Sequence, residues 1–257
     1  MSKQQQVTKH VVDALKVQVY QDRYVMGAAA GTDVATKIKE LLLVKPSIRM
    51  VFAAAPSQNE LLSHLVADST IDWSCIIAFH MDEYIGLPKN SAQTFSHFLK
   101  KSLFERVNPR NVHLIDSSNS SAAECLRYRE LIQEAPIDIV CLGIGENGHI
   151  AFNDPPVADF NDSLLIKTVE LDEACRQQQV NDGCFSSFAD VPTHAITLTI
   201  PALLSGAHLF CVVPGKTKHQ AVKRTLNGPI STECPSTILR NHPDCTLYVD
   251  RDAYGTA

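Results

Sequence analysis

The sequence predicts an α/β domain, one unit over residues 1–257, built on a mainly parallel, doubly wound sheet. Three observations lead there. Short apolar runs alternate with amphipathic stretches. The runs are largely apolar on both faces, as strands are when helices cover a sheet on two sides. The polar motifs follow the ends of the runs, where open α/β sheets bind ligands.

In chain order the expected strands are IRMVFAAA (48–55), SCIIAFHM (74–81), NVHLI (111–115), IDIVCLGIG (137–145), LLIKTVEL (164–171), AHLFCVVP (207–214) and CTLYVD (245–250). Between them lie the helical patterns GTDVATKIKELLLV, SQNELLSHLVAD, SAQTFSHFLKKSLFERV, SAAECLRYRELIQE and KTKHQAVKRTLNG. The least regular stretch, about 155–192, flanks the strongest motif and is a candidate lid.

Composition excludes several classes. The chain is 45% hydrophobic and 20% charged, an ordinary globular balance with a core of useful size. Its net charge is −5, and no Lys/Arg run exceeds two adjacent residues, which argues against a nucleic-acid surface. The start, MSKQQQVTKH, lacks a signal-peptide core, and no apolar run reaches the roughly 20 residues of a membrane helix. A cytoplasmic location is expected. The eight cysteines form no CxxC pair, and several sit in apolar runs, so they read as reduced, buried small hydrophobes.

Four strand-end motifs carry chemistry. HMDEYIGLP (80–88) ends an apolar run with two carboxylates. By strand alternation His80 and Asp82 share one face and Glu83 takes the other. A carboxylate beside an apolar wall suits a general base, although an acidic turn before GLP is the plain alternative. LGIGENGHIAFNDPP (142–156) has the glycine spacing of a dinucleotide site, at Gly143, Gly145 and Gly148. The two prolines that follow oppose the helix such a site requires. A glycine-rich turn presenting Asn147, His149 and Asp154 fits better, since a carboxylate near an imidazole fixes its tautomer.

PGKTKHQAVKRTL (214–226) joins a strand to a helix start carrying Lys216 and Lys218, an arrangement that suits an anion. FAAAPSQNELL (52–62) does the same with Ser57. Ser57 followed by Glu60 is the pattern of a capping box, and the same loop can present amides to phosphate.

Together, MDEYIGLP and GIGENGHIAFNDP resemble the glucosamine-6-phosphate deaminase family, related to 6-phosphogluconolactonases and galactosamine-6-phosphate isomerases. The likeness runs from about Met50 to Asp250 and takes in ISTECPSTILRNHPDCTLYVD (230–250). It implies a Rossmann-like three-layer fold and release of ammonia from an amino-sugar phosphate after ring opening and aldose–ketose isomerisation. By the resemblance Asp82 is the base that moves a proton from C2 to C1. His149 opens the ring with Asp154 beside it, and Lys218 holds phosphate.

Where the family has Asp-Gly-His this chain has Asn147, and Asp154 replaces a Glu. The family's Gly- and Thr-rich phosphate loop is Pro56-Ser57-Gln58-Asn59-Glu60 here. The phosphate arginine has no secure match; Arg176 is the substitute in a shifted alignment. Leu165-Ile166-Lys167 stands where allosteric members carry Arg-x-Lys, so no allosteric control is expected. No metal or other cofactor is implied. The expected partner is a small-molecule sugar phosphate, with no nucleic acid or membrane and the oligomeric state left open. 6-Phosphogluconolactonase and galactosamine-6-phosphate isomerase activities are the enzymatic alternatives; a sugar-phosphate-binding regulator is the non-enzymatic one.

Overall fold

The computed structural model describes residues 8–88 and 91–256. The strands are β1 (Thr8–Val12), β2 (Leu15–Tyr20), β3 (Ile48–Phe52), β4 (Ile76–His80), β5 (Asp82–Tyr84), β6 (Asn111–His113), β7 (Ile139–Leu142), β8 (Ile166–Glu170), β9 (His194–Leu198), β10 (His208–Val213) and β11 (Cys245–Asp250). Eight form one sheet in the order β1-β2-β11-β10-β7-β3-β4-β6. Every pairing in it is parallel except β1 with β2.

The doubly wound reading holds at the level of single side chains. On β3, Met50 and Phe52 pack into the core on one face while Val51 packs into the core on the other. On β10, Phe210 and Val212 face one core; Leu209, Cys211 and Val213 face the other. From β3 the chain moves outward through β4 to β6; from β7 it moves the opposite way to β10 and β11. A crevice therefore opens beyond the carboxyl ends of β3 and β7, where the winding reverses.

Several elements differ from the sequence expectation. An N-terminal hairpin, β1–β2, turns at Asp13, which has φ of 53°. The first helix spans Arg23–Leu42 and begins well before the expected Gly31, because Asp22 caps it by accepting from the amides of Tyr24 and Val25. The run 164–171 does form β8, but outside the main sheet. It joins β9 and β5 in a three-stranded antiparallel sheet, β5-β9-β8. The irregular stretch holds a further helix, Glu173–Asn181. Ser57 does not build a capping box: the helix Asn59–Ala67 has Gln58 at its N-cap and no side-chain cap bond. The eight cysteines are all free. Among the described residues no helix is long and apolar enough to cross a membrane.

The helix Arg23–Leu42 lies unusually close to Asn59–Ala67. A Cβ added at Gly27 would sit 2.3 Å from Cβ of Glu60, and one at Gly31 would sit 2.6 Å from Cβ of His64. Both glycines are one helical turn apart, as are their two neighbours. Absence of a side chain is what permits the approach. In an exposed helix Gly→Ala is stabilising by about 0.5–1 kcal/mol. Here we expect Gly31→Ala to reverse the sign and destabilise by about 1–3 kcal/mol through overpacking. Urea denaturation of the two proteins measures this; a stabilised variant would show that the helices separate freely.

Candidate active site

A cleft of about 290 Å³ occupies the crevice at the winding reversal. Its walls come from the loops after β3 (Ala53–Ser57), β4 (Met81, Asp82), β7 (Gly143–Gly145, His149) and β10 (Pro214–Lys218). Arg23 from the first helix and Gln178, Gln179, Asp182 and Cys184 from the candidate lid complete it.

Asp82 stands where the chain changes sheets. β4 ends at His80, and β5 starts at Asp82, paired antiparallel to β9 with Asp82 opposite Thr197. The Leu198 amide donates to the Met81 carbonyl at 2.7 Å and pins the joint. Asp82 is only 6% exposed, and burial, followed by repulsion from Glu83, pushes its carboxyl well above the usual range. Glu83 does take the other face. It accepts from the amides of Tyr84, Phe95 and Ser96, tying down the start of the helix Phe95–Leu99.

His80 departs from the expected alternation. Its imidazole is wholly buried, accepts from the Ile115 amide at 3.4 Å, and burial drives its pKa down to about 3. The change of sheet at Met81 breaks the two-residue repeat, so Met81 and Asp82, adjacent in sequence, both reach the cleft.

His149 is seated on a glycine. A Cβ at Gly145 would lie 2.2–2.3 Å from the imidazole ring, so only glycine lets the ring lie across this turn. Gly148 supplies φ of 89° one residue before the histidine. These glycines serve an imidazole rather than a pyrophosphate, and no helix follows them: residues 151–156 are turns with Ala151 at φ of 51°.

Nδ1 of His149 lies 2.8 Å from Oδ1 of Asp154, which is 1% exposed. This contact assigns Nδ1 to the carboxylate and leaves Nε2 as the free ring nitrogen. Burial raises the Asp154 pKa, but His149, Asn147 and Cys175 together outweigh it and hold the group below its ordinary value. Asn147 does not touch the imidazole. Its Nδ2 donates to Asp154 at 2.8 Å, and its Oδ1 accepts from the His149 amide at 3.0 Å, so it locks carboxylate and loop together.

Lys218 sits in the short turn Lys216–Lys218, after Gly215 with φ of 94°. The Gly215 amide donates to both carboxylate oxygens of Asp250 at 3.0 Å, which fixes the turn to the end of β11. Lys218 is 6% exposed and Lys216 is exposed. Burial lowers the Lys218 pKa, opposed by Asp182 and Glu146. The Ser57 hydroxyl accepts from Nε2 of Gln58 and borders Gly143 within the cleft.

Arg176 lies elsewhere. Its guanidinium donates to the carbonyls of Phe188 and Val191 and stacks over the Phe188 ring at 4.1 Å, so it braces the lid segment internally. The helix explains this: Cys175, Gln178, Gln179 and Asp182 recur at one-turn spacing on the inner face, and Arg176 is turned about 100° from Cys175. The sequence reading missed Arg23, Gln178, Gln179 and Asp182 as cleft residues. Among the described residues, the metal-type donors of His149, Asp154 and Cys175 lie within 4.8 Å of one another. The Cys175 thiol is pushed well up by burial and by Asp154, to which it is hydrogen-bonded.

Comparison with known proteins places this architecture. Residues 21–248 match the family model described as glucosamine-6-phosphate isomerases/6-phosphogluconolactonase. A glucosamine-6-phosphate deaminase of Listeria monocytogenes is 34% identical over 225 residues, covering 87% of this chain and 94% of its own length. One from Bacillus cereus is 34% identical over 217 residues, covering 84% and 80%. The solved structure of a monomeric glucosamine-6-phosphate deaminase superposes with a TM-score of 0.85 at 28% identity, covering 94% of this chain and 99% of that one. The 6-phosphogluconolactonase of Thermotoga maritima shares the fold, with a TM-score of 0.76 at 22% identity and coverage of 92% and 99%.

The burial of Asp82 has a consequence for stability. A carboxyl whose folded pKa lies above its unfolded value of 3.8 favours folding while protonated and opposes it once pH rises through the folded pKa. Asp82→Asn removes the charge without changing the shape. We expect its Tm to match that of the parent near pH 4 and to exceed it by a growing margin as pH rises from there toward the folded pKa. Calorimetry at several pH values checks this; a constant difference would mean that Asp82 is solvated.

Proposed function

The chain belongs to the glucosamine-6-phosphate isomerase/6-phosphogluconolactonase family, and we propose that it releases ammonia from an amino-sugar 6-phosphate, leaving a ketose phosphate. His149 takes the anomeric hydroxyl proton at Nε2 and delivers it to the ring oxygen as the C1–O5 bond breaks, and the pyranose opens to the aldehyde. Asp154 steadies the imidazolium that forms. Asp82 then takes the proton from C2 and returns one to C1, while the proton lost from the amino nitrogen is balanced by the one gained at O1, which converts the 2-amino aldehyde to a 1-hydroxy C2 imine. Water adds to C2 and ammonia leaves.

One observation carries this reading: Asp82 and His149 line the same cleft, and the Asp82 carboxyl is driven up while that of Asp154, behind His149, is held down. A raised Asp82 pKa makes a stronger base that can retain a proton between its two transfers. A lowered Asp154 pKa keeps that group anionic beside the imidazole. Two carboxylates set apart in this way serve two roles. Lactone hydrolysis needs a base for one water; it gives no use to a second, buried acid–base group. The curated relatives named above are deaminases, which points the same way.

The test is a screen for ammonia release from glucosamine 6-phosphate, galactosamine 6-phosphate and the free amino sugars, with 6-phosphogluconolactone hydrolysis run in parallel. We expect ammonia from a phosphorylated amino sugar. Lactone hydrolysis without ammonia would assign the lactonase activity instead, and binding without turnover would make the protein a regulator. Asp82→Asn should lower kcat by about 10²–10⁴-fold and abolish solvent-deuterium incorporation at C1. Retained turnover would remove Asp82 from the reaction.

Lys218→Ala should mainly raise KM for the phosphorylated sugar, because a group that holds a non-reacting phosphate contributes binding common to ground and transition states. A larger effect from Lys216→Ala would move the phosphate one step along the turn.

A further inference from the structure

Among the described residues Arg23 is the one arginine lining the cleft, and the functional reading so far gives it no role. It is the first residue of the helix Arg23–Leu42 and shares the cleft with Ser57, Lys216 and Lys218. Its guanidinium is already oriented. Nε donates to Oε1 of Glu60 at 2.8 Å, and one terminal nitrogen, Nη2, donates to Oε2 of Glu60 at 2.9 Å and to the Pro56 carbonyl at 2.8 Å. The other, Nη1, has no protein partner among the described residues. The Gly27 contact enables this, since it lets the backbone of the Glu60 helix approach closely enough for the carboxylate to reach Arg23.

Resting on the amino-sugar phosphate reading above, we propose that Arg23 is the phosphate-holding arginine of this protein, with Glu60 as its positioning residue. With the fork of Nε and Nη2 held by Glu60, Nη1 is a fixed cationic donor, which suits a phosphate oxygen better than a mobile ammonium does. The pair also resolves the apparent misfit of an acidic residue in the 56–60 loop. Glu60 is turned onto Arg23, its charge is matched, and it does not oppose the incoming anion. The arginine that the sequence suggested on the lid, Arg176, is committed to the Phe188 and Val191 carbonyls. Phosphate is then gripped by the loop after β3, the turn after β10 and the first helix, all anchored on the main sheet.

The experiment compares the parent protein with Arg23→Gln and Arg23→Lys in two readouts. In the first, protection against thermal unfolding by inorganic phosphate is measured. The parent should gain Tm with phosphate, Arg23→Gln should lose most of the gain, and Arg23→Lys should keep part of it. In the second, KM for the phosphorylated amino sugar should rise about 10–100-fold in Arg23→Gln, with kcat changed far less. The preference for the phosphorylated over the free sugar should fall with it.

A purely structural role gives a different pattern: Arg23→Gln lowers the ligand-free Tm, yet phosphate protection and sugar preference stay as in the parent. That pattern overturns the proposal, as does a parent protein that phosphate fails to protect. If no sugar yields ammonia with the parent, the proposed reaction fails, and the phosphate series alone decides the role of Arg23.

Discussion

A carboxylate held inside an apolar wall is costly, and the cleft is organised around tolerating one. Asp82 can be buried at the mouth only because the chain abandons the main sheet at His80 and is caught within two residues by β9. Without that second ladder, the segment would be a free acidic turn, solvated and ordinary in its pKa. The antiparallel sheet β5-β9-β8 thus does more than cover a face. It converts the end of a central strand into a rigid mount and sends the neighbouring carboxylate, Glu83, to cap a helix on the far side.

The placement of the His149 imidazole is governed by space rather than by charge. Gly145 leaves the room that the His149 ring fills, and Asn147 couples the same loop to Asp154. An amide in this place supplies a donor to the carboxylate and an acceptor for the backbone without adding a second negative charge. The imidazole therefore faces one anion, buried and hydrogen-bonded, and the carboxyls of Asp82 and Asp154 end up with pKa values displaced in opposite senses.

Much of this was legible beforehand. Two-sided apolar runs gave the parallel sheet, and the strand-end motifs located Asp82, His149, Asp154, Ser57 and Lys218, all but Asp154 directly lining the cleft. The misses have physical causes. β9, in THAITLTI, is short and belongs to a sheet whose other members are distant in sequence, so no local pattern announces it. The first helix opens with a polar cap and small residues, MGAAAG, whose weak hydrophobic periodicity hid its first turns and left Arg23 outside the helix. Arg176 looked available because sequence position cannot show that a helix turns one residue inward and its neighbour outward. His80 was misplaced because alternation along a strand stops where the strand changes partners.

The helix Glu173–Asn181 offers the cleft amides, Gln178 and Gln179, both 7% exposed, while Asp82 and His149, the proposed acid–base residues, lie beyond the ends of β4 and β7. This separation amounts to a division of labour that evolution can exploit. Under the proposed reaction, residues of one helix can be exchanged to read a different pattern of hydroxyls while Asp82 and His149 stay where the sheets fix them. A scaffold divided in this way can drift among related substrates by small steps, each reversible, without first losing its chemistry.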